Sequence, residues 1–134
     1  VIFVVSEDVT DISKSVESTL ASFKTANEVK ELYDQSNVFL LTSLREGTPT
    51  AILEALACGL PIVSSNAGGL KNIIKDRING FIIDSLVKEK YINILIEFES
   101  NSYEYINKNN KVLAREYSWE KVSLNITDKL NSLI

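Results

Sequence analysis

Two carboxylates, Glu46 and Glu54, close the two ends of the run Glu46-Gly47-Thr48-Pro49-Thr50-Ala51-Ile52-Leu53-Glu54, with seven residues between them. The second falls in a segment whose neighbours, Ala51, Ile52, Leu53, Ala55, Leu56 and Ala57, leave a helix no evident solvent face. Such a helix is expected to be buried. A carboxylate on it costs several kcal/mol unless it is hydrogen-bonded or opens into a polar cleft. Glu54 is therefore expected to have a partner: a Lys or Arg of the core, or a ligand. The punctuation sets the helix start. Thr48 is placed as N-cap and Pro49 at the first helical position, where a missing N–H is harmless. The amides of Thr50 and Ala51 then fall among the unpaired donors of the first turn. Gly59 and Pro61 stop the helix. A helix start of this kind attracts phosphate, and Glu54 lies about one turn, ~6 Å, further in. Carboxylates repel phosphates but accept hydrogen bonds from hydroxyls. A phosphate flanked by two polyols satisfies both sets of groups, and a nucleotide sugar has that shape.

The elements that must position these residues alternate. Val1–Val5 is an unbroken apolar run, read as a strand buried on both faces. It starts without Met, and the chain is expected to begin inside a larger protein. A weaker helix is predicted over Asp11–Leu20 and a short strand near Ala21–Phe23. A helix follows from an N-cap at Asn27 to Tyr33 or Gln35. Val38–Leu41 is a central strand, Thr50–Cys58 the site helix, Pro61–Ser64 a strand, Leu70–Lys75 a helix and Phe81–Ile83 a strand after the Asn79-Gly80 turn. This alternation predicts a Rossmann-like α/β domain, a parallel sheet flanked by helices. Ligands of such sheets bind beyond the carboxyl ends of the strands, and the Glu46 loop leaves that end of Val38–Leu41. From Leu86 onward only helices are read. One carries Ile92, Leu95, Ile96 and Glu99, and a poorer one Tyr103, Ile106 and Leu113. Ser118 caps the last, whose stripe is Trp119, Val122, Ile126, Leu130 and Leu133.

The run Thr42-Ser43-Leu44-Arg45-Glu46-Gly47-Thr48-Pro49-Thr50-Ala51-Ile52-Leu53-Glu54-Ala55-Leu56-Ala57-Cys58-Gly59-Leu60-Pro61-Ile62-Val63 resembles the donor-site segment of retaining glycosyltransferases with the two-domain GT-B fold, of the group 1 or family 4 type. Gly68-Gly69 and Asn79-Gly80-Phe81-Ile82-Ile83 also fall where that family has a Gly-Gly turn and a Gly-plus-strand segment. The resemblance is dense from about Val38 to Asp84 and looser elsewhere. It implies that residues 1–134 are one truncated domain, the nucleotide-sugar-binding C-terminal half of a GT-B fold with extra C-terminal helices. The N-terminal acceptor domain would be absent.

By the same resemblance, Glu46 is the catalytic-site acid that hydrogen-bonds hydroxyls of the transferred sugar, and Glu54 holds the ribose. Gly47 and the amides of Thr48, Thr50 and Ala51 serve sugar and phosphate. Pro49 cannot donate where many members use Gly. Asn72 stands where the family commonly has an acid, so that role is not carried over. The base is placed near the main chain of Thr25 and Ala26. A basic pair that clamps the pyrophosphate in the family has no counterpart among Lys14, Lys24 and Lys30, and is expected before Val1. The implied reaction moves a hexose from a nucleotide diphosphate sugar to a glycan or lipid-linked acceptor with retention, as in polysaccharide biosynthesis. It needs no metal and no further cofactor, and the fragment alone is expected to be inactive. Two alternatives stay open: a GT-B-fold sugar-nucleotide epimerase, and a non-catalytic nucleotide-binding module.

Composition limits other classes. A chain of 134 residues with 45% hydrophobic and 24% charged content fits one globular domain with a core. A net charge of −4 argues against a nucleic-acid surface. There is no His, which excludes imidazole metal sites and Ser-His or Cys-His nucleophiles. The single Cys58 cannot form an internal disulfide and reads as a quiet core thiol. No apolar run reaches a membrane span. The expected location is cytoplasmic, with the full-length protein either free or peripheral to the inner face of the membrane.

Overall fold

In a computed structural model, residues 2–5, 25–100 and 103–133 are described. Their order is β1 (Ile2–Val5), α1 (Ala26–Asp34), β2 (Val38–Leu41), α2 (Thr50–Cys58), β3 (Ile62–Ser65), α3 (Leu70–Ile73), β4 (Gly80–Ile83), α4 (Lys88–Ser100), α5 (Glu104–Glu116) and α6 (Trp119–Asn131). The helix expected over Asp11–Leu20 and the strand near Ala21–Phe23 lie outside the described residues.

The four strands form one sheet in the order β1-β2-β3-β4. Strands β2, β3 and β4 are parallel, with Leu40 opposite Val63 and Val63 opposite Phe81. β1 instead runs antiparallel to β2, Ile2 opposite Leu41 and Val5 opposite Val38. A continuous apolar run specifies burial, not direction, so the sequence pattern could not tell an antiparallel edge from a parallel one.

Alternation along each strand builds two cores. Phe39, Leu41 and Ile62 face Tyr33 of α1, Ile52, Ala55 and Leu56 of α2, and Leu70 and Ile73 of α3. Val38, Leu40, Val63, Phe81 and Ile83 face Tyr91 and Leu95 of α4 and Ile106 of α5. Full burial of one such aliphatic side chain contributes ~1.5–3 kcal/mol. α5 serves both faces: Ile106 belongs to the second core, while Leu113, Ala114 and Tyr117 pack on the first. The stripe of α4 is Tyr91, Ile94, Leu95 and Phe98 rather than one through Ile92 and Ile96, the latter being half exposed.

Local boundaries moved for identifiable reasons. α1 starts two residues earlier than an Asn27 cap would allow. Thr25 and Glu28 form a reciprocal capping box, the Thr25 amide donating to the Glu28 carboxylate at 2.7 Å. The site helix has the expected span, but its N-cap is Pro49 at φ −69° and ψ 127°, with no side-chain cap. Pro49 itself stays extended, so the first helical residue is Thr50 and Thr48 falls one position outside the cap. Gly59 ends the helix at φ 86°, a left-handed position that a Cβ would strain. α3 stops at Ile73, shorter than read. Ser118 caps α6 as expected, accepting from the Lys121 amide at 3.3 Å.

Candidate functional site

The loop from Thr42 to Pro49 leaves the carboxyl end of β2 and delivers Glu46 to the start of α2. Glu46 is half-buried, Gly47, Thr48 and Thr50 are exposed, and Ala51 is half-buried. What fixes this loop is the Gly68-Gly69 turn after β3. The Gly69 amide donates to the Glu46 carbonyl at 3.4 Å. A Cβ at Gly68 would lie 1.9 Å from that carbonyl oxygen, and one at Gly69 would lie 2.9 Å from the Gly47 carbonyl oxygen. Gly68 also sits at φ +54°. Without a Cβ, these two glycines permit close approach of backbone. The backbone they admit is that of the Glu46 loop itself.

The first turn of α2 is open. With Pro49 as N-cap no hydroxyl folds over it, and among the described residues the amides of Thr48, Thr50 and Ala51 donate to no backbone carbonyl. A Cβ at Gly47 would meet nothing within 4 Å, so the chain leaves space beside the helix start. Thr48, Thr50, Ala51 and Gly47 are thus gathered at one end of one helix, with Glu46 entering and Glu54 one turn on.

Glu54 corrects the expectation of a buried carboxylate. Its residue is exposed, as is Ala57, while Ile52, Ala55 and Leu56 are buried. α2 has a narrow open face that composition alone concealed, since alanines are compatible with either side. The partner is neither Lys nor Arg. The phenol of Tyr33 donates to Glu54 Oε2 at 3.1 Å and lies 3.4 Å from the Ala51 carbonyl. Burial, reinforced by the Glu54 charge and hydrogen bond, pushes the Tyr33 hydroxyl far above its usual range, so it remains a proton donor.

Other placements narrow the sequence reading. Thr25 has its amide and hydroxyl engaged by Glu28 and its carbonyl accepting from Val29, so its amide is not open to a base. Asn72 is exposed on α3. Cys58 is half-buried, and burial raises its thiol pKa, which keeps it a poor nucleophile. Among the described residues no group of three His, Cys, Asp or Glu side chains could hold a metal ion.

A shallow pocket of about 210 Å³ opens beside this loop. It is lined by Ser43 and Leu44, by Ser65 and Asn66, and by Asp84, Ser85 and Leu86, residues that follow or end β2, β3 and β4. Asn66 donates to the Asp84 carboxylate, and Ser65 to the Ser43 carbonyl. None of these polar residues was singled out from the sequence. Their signal was positional, since each sits where a parallel strand ends.

The model of the glycosyl transferases group 1 family matches residues 8–122. The chain belongs to this family. Among curated relatives, the group 1 glycosyltransferase chain is 40% identical over 70 residues to an Escherichia coli UDP-Gal:alpha-D-GlcNAc-diphosphoundecaprenol alpha-1,3-galactosyltransferase, covering 52% of this chain and 18% of the relative. It is 28% identical over 121 residues to an uncharacterised glycosyltransferase of Haemophilus influenzae, covering 87% and 34%. The chain thus spans about a third or less of these relatives. A solved Anabaena protein in complex with UDP superposes with a TM-score of 0.68 at 21% identity, over 92% of this chain and 35% of that one. The C-terminal domain of a group 1 family protein from Francisella tularensis does so with 0.64 at 20%, over 82% and 62%. The fold is that of the C-terminal domains of GT-B glycosyltransferases. No helix of the described residues is long and apolar enough to cross a membrane.

Proposed function

We propose that this chain is the donor-binding domain of a retaining glycosyltransferase that moves a hexose from a nucleotide diphosphate sugar to a glycan or lipid-linked acceptor. The observation that carries the reading is the open start of α2, whose undonated amides are bracketed by Glu46 and Glu54 at the carboxyl end of β2. A diphosphate would sit on the amides of Thr48, Thr50 and Ala51, where the helix dipole favours it. Glu54 would accept from ribose hydroxyls on one side. Glu46 would accept from sugar hydroxyls on the other, which makes it the catalytic-site residue of this half. As the glycosidic bond to phosphate breaks, negative charge grows on the departing diphosphate, and preorganised amides stabilise it more than they stabilise the bound donor.

The relative that uses UDP-galactose and a lipid diphosphate acceptor, and the neighbour that holds UDP, support a nucleotide donor. The last helix supports a second domain. None of its residues is buried, and Trp119, Ile126, Leu130 and Leu133, which share one face, are half to nearly fully exposed. An acceptor domain packed on that stripe would complete the cleft and supply the basic groups that clamp the diphosphate. The reaction is read as independent of metal and as cytoplasmic, free or at the inner face of the membrane.

The 134-residue chain alone is then expected to transfer no sugar but to bind a nucleoside diphosphate sugar weakly. Titration calorimetry with UDP, GDP and ADP sugars measures this directly. A folded sample that binds none of them rejects the site.

A further inference from the structure

We propose that Tyr33 is a positioning residue for donor binding: its phenol fixes one oxygen of Glu54 so that the other faces the ribose. The inference rests on the ribose role of Glu54 proposed above, and it goes beyond that role by assigning the carboxylate's orientation to a residue on another helix.

Three observations meet at this side chain. Tyr33 is buried, at 6% exposure, although its hydroxyl reaches an exposed carboxylate. Its ring is held in the first core and leans on Phe39, with centroids 6.0 Å apart and planes tilted by 51°. The hydroxyl therefore emerges from a rigid wall, and its nearer acceptor is Glu54 Oε2 at 3.1 Å rather than the Ala51 carbonyl at 3.4 Å. Among the described residues, Glu54 Oε1 accepts no hydrogen bond. One oxygen is tied to the protein and the other is left for a ligand.

The chemistry favours this division. An exposed glutamate has three rotatable bonds, and a ligand that needs one rotamer must order it on binding. A hydrogen bond from a fixed phenol to one carboxylate oxygen does that ordering in advance, and charge-assisted bonds of this kind are among the stronger ones. Burial beside a carboxylate keeps the proton on the Tyr33 phenol, so it remains able to donate to Glu54. A ribose diol, itself a donor, then meets a pre-oriented acceptor. A plain structural role, stapling α1 to α2 through the ring and the Ala51 carbonyl, would not distinguish ligands that carry the diol from those that lack it.

The test uses the 134-residue chain with UDP, GDP or ADP, whichever binds best, and with the 2′,3′-dideoxy analogue of the same nucleotide. Wild type is expected to prefer the ribonucleotide. Tyr33→Phe, which keeps the ring, should weaken ribonucleotide binding by about three- to tenfold and leave the dideoxy analogue unchanged. In a Glu54→Ala background the same substitution should have no effect on either. Equal weakening of both ligands, or an unchanged preference, while Glu54→Ala abolishes the preference, overturns the positioning role and leaves the ribose role standing. A preference that survives Glu54→Ala overturns both. Should the Phe variant unfold in a thermal melt, a fluorinated tyrosine at position 33 keeps the ring and sharpens the donor. It should then raise the preference, and an unchanged preference counts against the proposal.

Discussion

The two ends of the sheet handle their polar groups in opposite ways. At the amino ends of β3 and β4 the chain satisfies its own backbone. Asn110, fully buried in α5, donates to the Leu60 carbonyl at 2.6 Å and the Asn79 carbonyl at 3.0 Å, just ahead of the two strands. Asn79 in turn donates to the Ile73 carbonyl at 3.0 Å and accepts from the Lys75 amide at 2.6 Å. At the carboxyl ends Ser65 and Asn66 are paired, but groups around the start of α2 stay open. The amides at the start of α2 are undonated, and among the described residues the Glu46 carboxylate and Glu54 Oε1 accept no hydrogen bond. A polar group buried and paired at one end stabilises the fold. The same kind of group left open at the other end costs little while solvated and is available to a ligand.

Gly68→Ala should have the largest effect, because it joins the two roles. Its Cβ would collide with the Glu46 carbonyl oxygen at 1.9 Å, and Ala dislikes φ +54°. We expect a stability loss of about 3 kcal/mol or more in chemical denaturation, with loss of nucleotide binding in whatever fraction stays folded. A variant within about 1 kcal/mol of wild type that binds normally would show that the loop is not held by this turn.

Asn110→Ala is expected to cost somewhat less, about 2–3 kcal/mol, since it strips the hydrogen bond from two buried carbonyls. Nucleotide affinity at a temperature where the variant is folded should stay within about twofold, a change under ~0.5 kcal/mol. A larger loss of affinity would mean that the ends are coupled, and the contrast drawn here would fail.

This same contrast decides what the sequence could disclose. The strands and site helix were legible because buried apolar runs bounded by Gly and Pro leave few alternatives, and the span of α2 was read to the residue. The open helix-start amides were legible for a related reason, since a Pro at a helix start marks where backbone donors are orphaned. Asn110 was not. It occupies a core position between Ile106 and Leu113, and a polar residue in an apolar stripe simply reads as a poor stripe. The Tyr33–Glu54 pair was equally hidden, because 21 residues of chain separate two side chains that only the packing of α1 on α2 brings together. The Thr25-x-x-Glu28 box was present in the sequence and passed over in favour of Asn27. The direction of β1 has no local signal at all.

Glu54→Ala should reverse the signature of Asn110→Ala. The residue is exposed, and the Tyr33 phenol keeps the Ala51 carbonyl within reach, so the stability loss should be no more than about 1 kcal/mol. Affinity for a nucleoside diphosphate should nonetheless fall about tenfold, the scale of a hydrogen bond from a ligand hydroxyl to a carboxylate. Calorimetry beside a thermal melt separates the two quantities. A destabilised variant with unchanged affinity would place Glu54 with the structural end of the sheet.

Glu46→Ala should give the smallest change, and only with one class of ligand. Its backbone carbonyl, which receives the Gly69 amide, survives the substitution, so the loop should hold its course. Its carboxylate makes no hydrogen bond or ion pair among the described residues, so nothing in the fold is left unpaired. The sole expected loss is a hydrogen bond to a sugar hydroxyl, about 1 kcal/mol or a fewfold in affinity. That loss should appear with a nucleotide sugar and vanish with the bare nucleotide. Paired titrations of wild type and variant, with UDP-galactose against UDP, read the difference without needing absolute affinities. An equal loss for both ligands would move Glu46 from the sugar to the nucleotide. The open end would then hold its ligand through the phosphates and ribose alone, with sugar selection lying outside this chain.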